Sequence, residues 1–183
     1  MIDYVGLIPL FPAIGFALNL FFGRRMGKGA VGFIACAAIG LSFLVSFLVF
    51  LDLLKMAPAS RSVEKILYQW IISGEFQANI GFLVDPLSIV MMMVVSGVSF
   101  IIHIYSYGYM HDDRGFPRYF TYLNLFVFFM LILVAANNFL LMFVGWEGVG
   151  LCSYFLIGFW YEKKSASDAG KKAFIVNRIG DYG

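Results

Sequence analysis

The sequence predicts an all-α membrane protein, a polytopic bundle of transmembrane helices. Of its 183 residues, 61% are hydrophobic and only 13% are charged. A water-soluble core of this size cannot bury so much apolar surface. The apolar residues also gather into runs of about 20, the length that crosses about 30 Å of hydrocarbon. We therefore expect five complete transmembrane helices and the start of a sixth.

The five complete runs are separated by charged or polar breaks. They cover residues 4–22, 32–54, 86–109, 119–136 and 139–159. No basic segment precedes the first run and two arginines follow it, so we interpret it as a retained helix, distorted at Pro9 and Pro12, and not as a signal peptide. A sixth run begins near Asp168 and is too short to span, so we expect the sequence to be a piece of a longer protein.

The longest loop has a strand pattern. Residues 66–72 and 76–84 are rich in β-branched and aromatic residues on either side of Ser73 and Gly74. This pattern predicts a hairpin at about 66–84, lying on the membrane surface. Asp85 is a candidate N-cap for the third helix, with Pro86 at its first position.

Basic residues are distributed unevenly between the two sets of loops. Nine lysines and arginines fall in residues 23–31, 110–118 and 160–172, against three in the loop at 55–65. Because basic loops stay on the cytoplasmic side, we expect the N-terminus on the non-cytoplasmic side.

The sequence contains no pattern typical of a metal site, a nucleotide-binding loop or an iron-sulfur site. Cys36 and Cys152 lie in different apolar runs without metal-ligand spacing, so we interpret them as packing residues. No glycine-rich nucleotide loop follows a strand, and no cysteine cluster is suited to iron and sulfur. We expect no cofactor in this chain, no redox centre and no nucleic-acid partner.

Glu147 is the main functional candidate. No other charged residue lies between Arg118 and Glu162, and the run 139–159 holds eleven Leu, Ile, Phe and Val residues. Each of these residues lowers the free energy of membrane insertion by about 0.3–0.6 kcal/mol, whereas one charged residue at the helix centre raises it by about 2.5–3.5 kcal/mol. Insertion tolerates the carboxyl group without explaining it. Proton handling is the favoured interpretation, and a neutral glutamic acid that bonds a neighbouring helix is the alternative.

Further candidates surround this glutamate or lie in other runs. Gly145 and Gly148 share a helical face and predict close approach of another helix. Arg178 and Asp181 are three residues apart on the sixth run and predict either an ion pair that only aids insertion or a second functional pair. His103 precedes a tyrosine-rich stretch, which predicts an interfacial histidine or a proton relay.

Several of these stretches together resemble the antiporter-like membrane subunit of respiratory complex I, known as subunit L in bacteria and subunit 5 in mitochondria. They are residues 102–106, 109–110, 137–143, 145–154, 172–174 and 177–181. The run WEGVGLCSY at 146–154 is the most specific of them, and the resemblance covers essentially the whole sequence.

This resemblance implies an inverted-repeat fold, with residues 1–117 as three leading helices and 118–183 as the start of the first repeat. It assigns Glu147 to a glutamate–lysine pair whose lysine lies on the seventh helix, outside this sequence. Arg178, Asp181 and His103 are implied to take part in the same proton translocation. NADH, FMN, iron-sulfur clusters and quinone would belong to partner subunits, and the chain's partners would be the other membrane-arm subunits and the bilayer.

Alternative functions come from related complexes. Multisubunit Na⁺/H⁺ antiporters and membrane-bound hydrogenases use similar subunits, and a purely structural scaffold is the remaining class. For location, we favour a bacterial cell membrane, with the mitochondrial inner membrane as the alternative.

Overall fold

The structure is a computed structural model that describes residues 2–74 and 76–182. The fold consists of six α-helices and one β-hairpin. The helices are α1 (Leu7–Phe22), α2 (Lys28–Lys55), α3 (Pro86–Tyr109), α4 (Phe116–Ala135), α5 (Phe139–Ile157) and α6 (Lys164–Tyr182), and the strands are β1 (Val63–Ser73) and β2 (Phe76–Val84). Short 3-10 turns at Ile2–Tyr4 and Pro58–Ser60 complete the fold.

Four helices in the described part of the chain are long and apolar enough to cross a membrane, namely α2, α3, α4 and α5. The expected count of five complete spans is not confirmed, because α1 has 16 residues. At 1.5 Å per residue it is about 24 Å long, less than a typical hydrocarbon core. Helix α1 continues through Pro12. Helix α6 begins at Lys164, four residues before the expected start.

The β-hairpin is confirmed and is longer than expected. Val63 pairs with Val84, three residues before the expected start of the first strand, and Gly74 turns the chain with φ 59°. Phe82 and Val84 are buried against the helix ends, while most of β1 is exposed. Lys65 also forms an ion pair with Asp3, with Nζ 2.7 Å from Oδ1. The hairpin thus covers the end of the bundle where α3 and α5 begin.

Asp85 is the N-cap of α3, as expected. Its Oδ1 accepts a hydrogen bond from the Ser88 backbone N–H at 2.6 Å, and the Ser88 hydroxyl accepts one from the Asp85 N–H at 2.8 Å. This reciprocal arrangement satisfies two backbone donors that the first helical turn leaves free. Pro86 occupies the first helical position, where no N–H is needed.

Helix α1 packs between α2 and α4, and α3 packs on α2 and α4, so these four helices form one bundle. Helix α5 packs on α4, and α6 packs chiefly on α5. The larger apolar core lies beside the hairpin and includes Ile39, Phe82 and Leu131; a second core includes Phe116 and Phe120 at the opposite end. Helices α5 and α6 therefore lie at the edge of the bundle, and they carry most of the charged candidates.

Candidate functional site: a charged cluster between two helices

The start of α5 is held by the hairpin. The Asn138 side-chain oxygen accepts from the Leu141 N–H at 2.9 Å and caps the helix, while its amide donates to the Asn79 carbonyl oxygen at 2.7 Å. The Asn137 backbone N–H donates to the Gly81 carbonyl oxygen at 3.2 Å. These bonds give α5 a defined starting point relative to the bundle. The break at these asparagines was predicted from the sequence, but their contacts with the hairpin were not.

Two glycines set the face that α5 presents to α4. A Cβ atom at Gly145 would lie 2.6 Å from the Leu133 backbone nitrogen, and a Cβ at Gly148 would overlap the Phe129 ring. Both glycines are buried. The expected close approach of a neighbouring helix is confirmed. Because this face is occupied by α4, the Glu147 side chain is directed elsewhere.

Glu147 forms an ion pair with Arg178 of α6, between its Oε2 and the arginine Nη1. The second terminal nitrogen of Arg178, Nη2, lies 3.4 Å from Asp181 Oδ2. One guanidinium group therefore joins two carboxylates across the α5–α6 contact. The pairing of Arg178 with Asp181 was expected; the pairing of Arg178 with Glu147 was not, since it depends on how α6 packs against α5.

Trp146 completes this charged cluster of four residues, Trp146, Glu147, Arg178 and Asp181. Its indole N–H donates to Asp181 Oδ1 at 2.6 Å. Trp146 was not predicted as a site residue. The only available signal was its position beside Glu147, because its partner lies 35 residues away on another helix.

The charged cluster is partly enclosed. The side chains of Glu147, Arg178 and Asp181 are 32%, 24% and 15% exposed. Arg178 and Asp181 line a groove of about 610 Å³, together with Leu133 and Ser153 among others. The Arg178 guanidinium also lies over the Phe174 ring, 5.1 Å from its centroid. The cluster therefore has protein on the α4 and α5 side and a groove beside it.

His103 lies apart from the charged cluster. Its side chain is fully buried, its Nδ1 is 2.7 Å from the Ser99 carbonyl oxygen, and its ring centroid is 6.0 Å from that of Phe120. Among the described residues, Nε2 has no hydrogen-bond partner. His103 packs against Phe120 of α4, whereas Tyr105 and Tyr109 of the same helix are exposed. Its position at the membrane interface and a role as a proton relay both stay predictions.

The loops at the end opposite the hairpin connect the bundle to α6. Asp113 accepts from the Trp160 indole N–H at 2.9 Å and from the Gly115 N–H at 2.6 Å. These hydrogen bonds, the Trp160 one above all, hold the pKa of the Asp113 carboxyl below its ordinary value. Arg118 donates to the Phe159 carbonyl oxygen at 3.0 Å and lies over its ring. The α5–α6 connection is thereby attached to α4.

The two cysteines are not members of the charged cluster and are not paired with each other. Cys36 is half-buried, Cys152 is buried, and both are free thiols. Within residues 2–74 and 76–182, no group of three His, Cys, Asp or Glu side chains is arranged to hold a metal ion.

Two family models match the chain. Residues 70–120 match the N-terminal part of chain 5 of NADH-ubiquinone oxidoreductase (complex I), and residues 136–183 match the transmembrane domain of NADH:quinone oxidoreductase and Mrp antiporters. NADH-quinone oxidoreductase subunit L of Mycobacterium tuberculosis is 45% identical over 98% of this chain. The chain belongs to the subunit L family. Chain 5 of NADH-ubiquinone oxidoreductase from Marchantia polymorpha is 44% identical over 97% of this chain.

The chain covers only part of its subunit L relatives, 28% of the mycobacterial protein and 26% of the Marchantia protein. Two solved structures share the fold. The Mrp complex of Dietzia sp. DQ12-45-1b superposes with a TM-score of 0.74 at 24% identity, covering 94% of this chain and 18% of that one. An archaeal membrane-bound sulfane sulfur reductase superposes with a TM-score of 0.80 at 16% identity, covering 97% and 34%. As a subunit L family member with four apolar helices of spanning length, the chain is an integral membrane protein.

Proposed function

We propose that this chain is part of a proton-translocating membrane-arm subunit of NADH:quinone oxidoreductase. The two relatives named above carry that complex's name, and the charged cluster supplies groups suited to the task. In this proposal NADH oxidation and quinone reduction occur on partner subunits, which hold the FMN, iron-sulfur clusters and quinone. In the same proposal this chain contributes partly enclosed charges within the bilayer and no cofactor.

The observation that carries the proposal is the charge balance of the cluster. Glu147 and Asp181 are two carboxylates that share one guanidinium, Arg178. With all three ionised, the cluster carries one uncompensated negative charge inside a membrane protein, where unpaired charge is costly. A proton on either carboxyl group, or a further cation, removes that cost. The lysine on the seventh helix that the family resemblance implies would be such a cation.

This arrangement can move a proton because its charge balance depends on its partners. At an effective dielectric constant near 20, an opposite charge about 4 Å away contributes about 4 kcal/mol. Bringing a cation to Glu147 favours the ionised carboxylate, and withdrawing it favours uptake of a proton. A partner that approaches and leaves would therefore alternate proton release with proton uptake.

The test replaces Glu147 with Gln in the full-length subunit within its complex. Proton pumping by inverted membrane vesicles, NADH oxidation and assembly are measured in the same preparation. Glu147→Gln keeps the side-chain size and removes the ionisable group, so pumping should fall while the complex still assembles. Asp168→Asn is the control, because Asp168 is an exposed carboxylate of α6 whose Oδ1 lies 3.9 Å from Nζ of Lys171 in the same helix. The Asp168→Asn complex should pump normally. Wild-type pumping by Glu147→Gln would overturn the proposal.

Sodium–proton exchange is the second candidate function, favoured by the family model that spans Mrp antiporters and by the fold shared with the Dietzia Mrp complex. The same vesicles decide between the two. Proton pumping that is driven by NADH and independent of sodium supports the respiratory function. Proton movement that requires a sodium gradient supports antiport. A scaffold would assemble and pump normally with Glu147→Gln.

The proposed location is a bacterial cell membrane, with the N-terminus and the hairpin on the non-cytoplasmic side. The support is the grouping of basic loops at the end opposite the hairpin, where Lys28 Nζ donates to the His111 carbonyl oxygen at 2.5 Å. Single cysteines at the exposed positions Gln69 and Glu162 test the orientation. A membrane-impermeant thiol reagent added to intact cells should label position 69 and spare position 162, and the opposite pattern would reverse the topology.

A further inference from the structure

The Trp146 indole forms a hydrogen bond with Asp181, and proton exchange at Glu147 does not itself require this bond. Its N–H lies 2.6 Å from Asp181 Oδ1, and the residue is 53% exposed at the wall of the groove. An indole N–H can only donate, so it favours an acceptor such as an ionised carboxylate. Trp146 is also adjacent to Glu147, so one turn of α5 carries both the carboxylate and the donor.

The two oxygens of Asp181 have unequal partners. Oδ1 receives the short indole bond, whereas Oδ2 lies 3.4 Å from Arg178 Nη2. Arg178 is shared, since its Nη1 pairs with Glu147. The indole is therefore the donor that belongs to Asp181 alone. It keeps the carboxylate bonded while Arg178 divides its charge between two acceptors.

The contact also crosses the α5–α6 pair, where the rings of Tyr154 and Phe174 pack with centroids 5.6 Å apart. Helix α6 packs chiefly on α5 among the described elements. The side-chain bonds between these two helices in the described residues are the Glu147–Arg178 ion pair and the Trp146–Asp181 hydrogen bond. Removing the indole N–H leaves Asp181 free to rotate and draw Arg178 away from Glu147.

We propose that Trp146 is a positioning residue for proton translocation, which holds Asp181 so that Arg178 stays within reach of Glu147. This inference rests on the proposed function. Its test is Trp146→Phe in the full-length complex, which keeps an aromatic ring and removes the N–H. Proton pumping should fall about tenfold, the effect of losing one hydrogen bond to a charged group, while the complex assembles.

Trp160→Phe is the matched control, because the Trp160 indole also donates to a carboxylate, that of Asp113 in the α3–α4 loop. It should leave pumping unchanged. Trp146→His retains a ring N–H and should restore part of the pumping. Trp146→Phe combined with Asp181→Ala should pump no less than Asp181→Ala alone, because the indole acts through that carboxylate.

Three outcomes would overturn the inference: wild-type pumping by Trp146→Phe, effects of Trp146→Phe and Asp181→Ala that multiply, or failure of both the Phe and the His variant to assemble. The last outcome would make Trp146 a structural residue. If Glu147→Gln stops pumping while Trp146→Phe pumps normally, only the role of Trp146 fails. If Glu147→Gln pumps normally, the proposed function itself fails.

Discussion

Replacing Gly145 with Ala tests whether the contact between α5 and α4 sets the position of the charged cluster. A Cβ at this position would lie 2.6 Å and 2.7 Å from the Leu133 backbone nitrogen and Cα atoms. Backbone atoms inside a helix cannot rotate away as a side chain can. To restore an ordinary contact of at least 3.4 Å, α5 must move by about 0.8 Å from α4.

This displacement has a cost in stability and a consequence for the site. Overpacking of this kind costs about 1–3 kcal/mol. Glu147 is two residues from Gly145, so it moves with the helix, and its pairing with Arg178 of α6 changes. We expect Gly145→Ala to lower both the thermal stability of the complex and its proton pumping.

The control for Gly145→Ala is Gly108→Ala in α3, where nothing lies within 4 Å of the added Cβ. Alanine is favoured over glycine within helices by about 1 kcal/mol, so this variant should be at least as stable as the wild type. The assay is the thermal unfolding midpoint of the purified complex together with proton pumping in vesicles. If Gly145→Ala matches Gly108→Ala in both, close contact at Gly145 does not position the cluster.

Two further predictions concern groups outside the charged cluster. His103→Gln should lower proton pumping without loss of assembly, because glutamine can form hydrogen bonds within the buried site but cannot take up a proton. His111→Gln is the control, because His111 is exposed. Equal pumping by the two variants would exclude a relay at His103. The pKa of Asp113 is lowered in the folded state, so its contribution to stability is complete above its ordinary value of 3.8 and is lost as the pH falls below that value. The difference in thermal unfolding midpoint between wild type and Asp113→Asn should therefore be constant near neutral pH and become smaller in acid. A difference that does not depend on pH would contradict this explanation.

Much of the fold was predictable because it depends on local chemistry. Long apolar runs form helices in lipid, where every backbone group must bond within its own segment. The strand pattern predicted the hairpin, and Asp85 predicted the start of α3. The prediction of five complete spans is not confirmed, because α1 has fewer residues than its apolar pattern indicated. Composition shows where a segment is apolar, but not where its helical hydrogen bonds begin.

The charged site was only partly predictable. Glu147 stood out because a lone charge in an apolar run is costly, and Arg178 and Asp181 share a face of one helix. The ion pair between Arg178 and Glu147 could not be predicted from the sequence, since these residues are 31 positions apart and come together only when α5 and α6 pack. The burial of His103 had the same origin, because the face of α3 that packs on α4 is set by the whole bundle.

The sequence by itself therefore determined that this chain is a helical membrane protein of the subunit L family, with a costly carboxyl group in its fifth apolar run. Helix periodicity, capping and insertion energy act over a few residues, so they can be read in order along the chain. Only the tertiary structure decided that Arg178 joins Glu147 to Asp181 and that Trp146 bonds the second carboxylate. Side-chain contacts between helices depend on rotation and separation, which are set by close packing at residues such as Gly145 and Gly148.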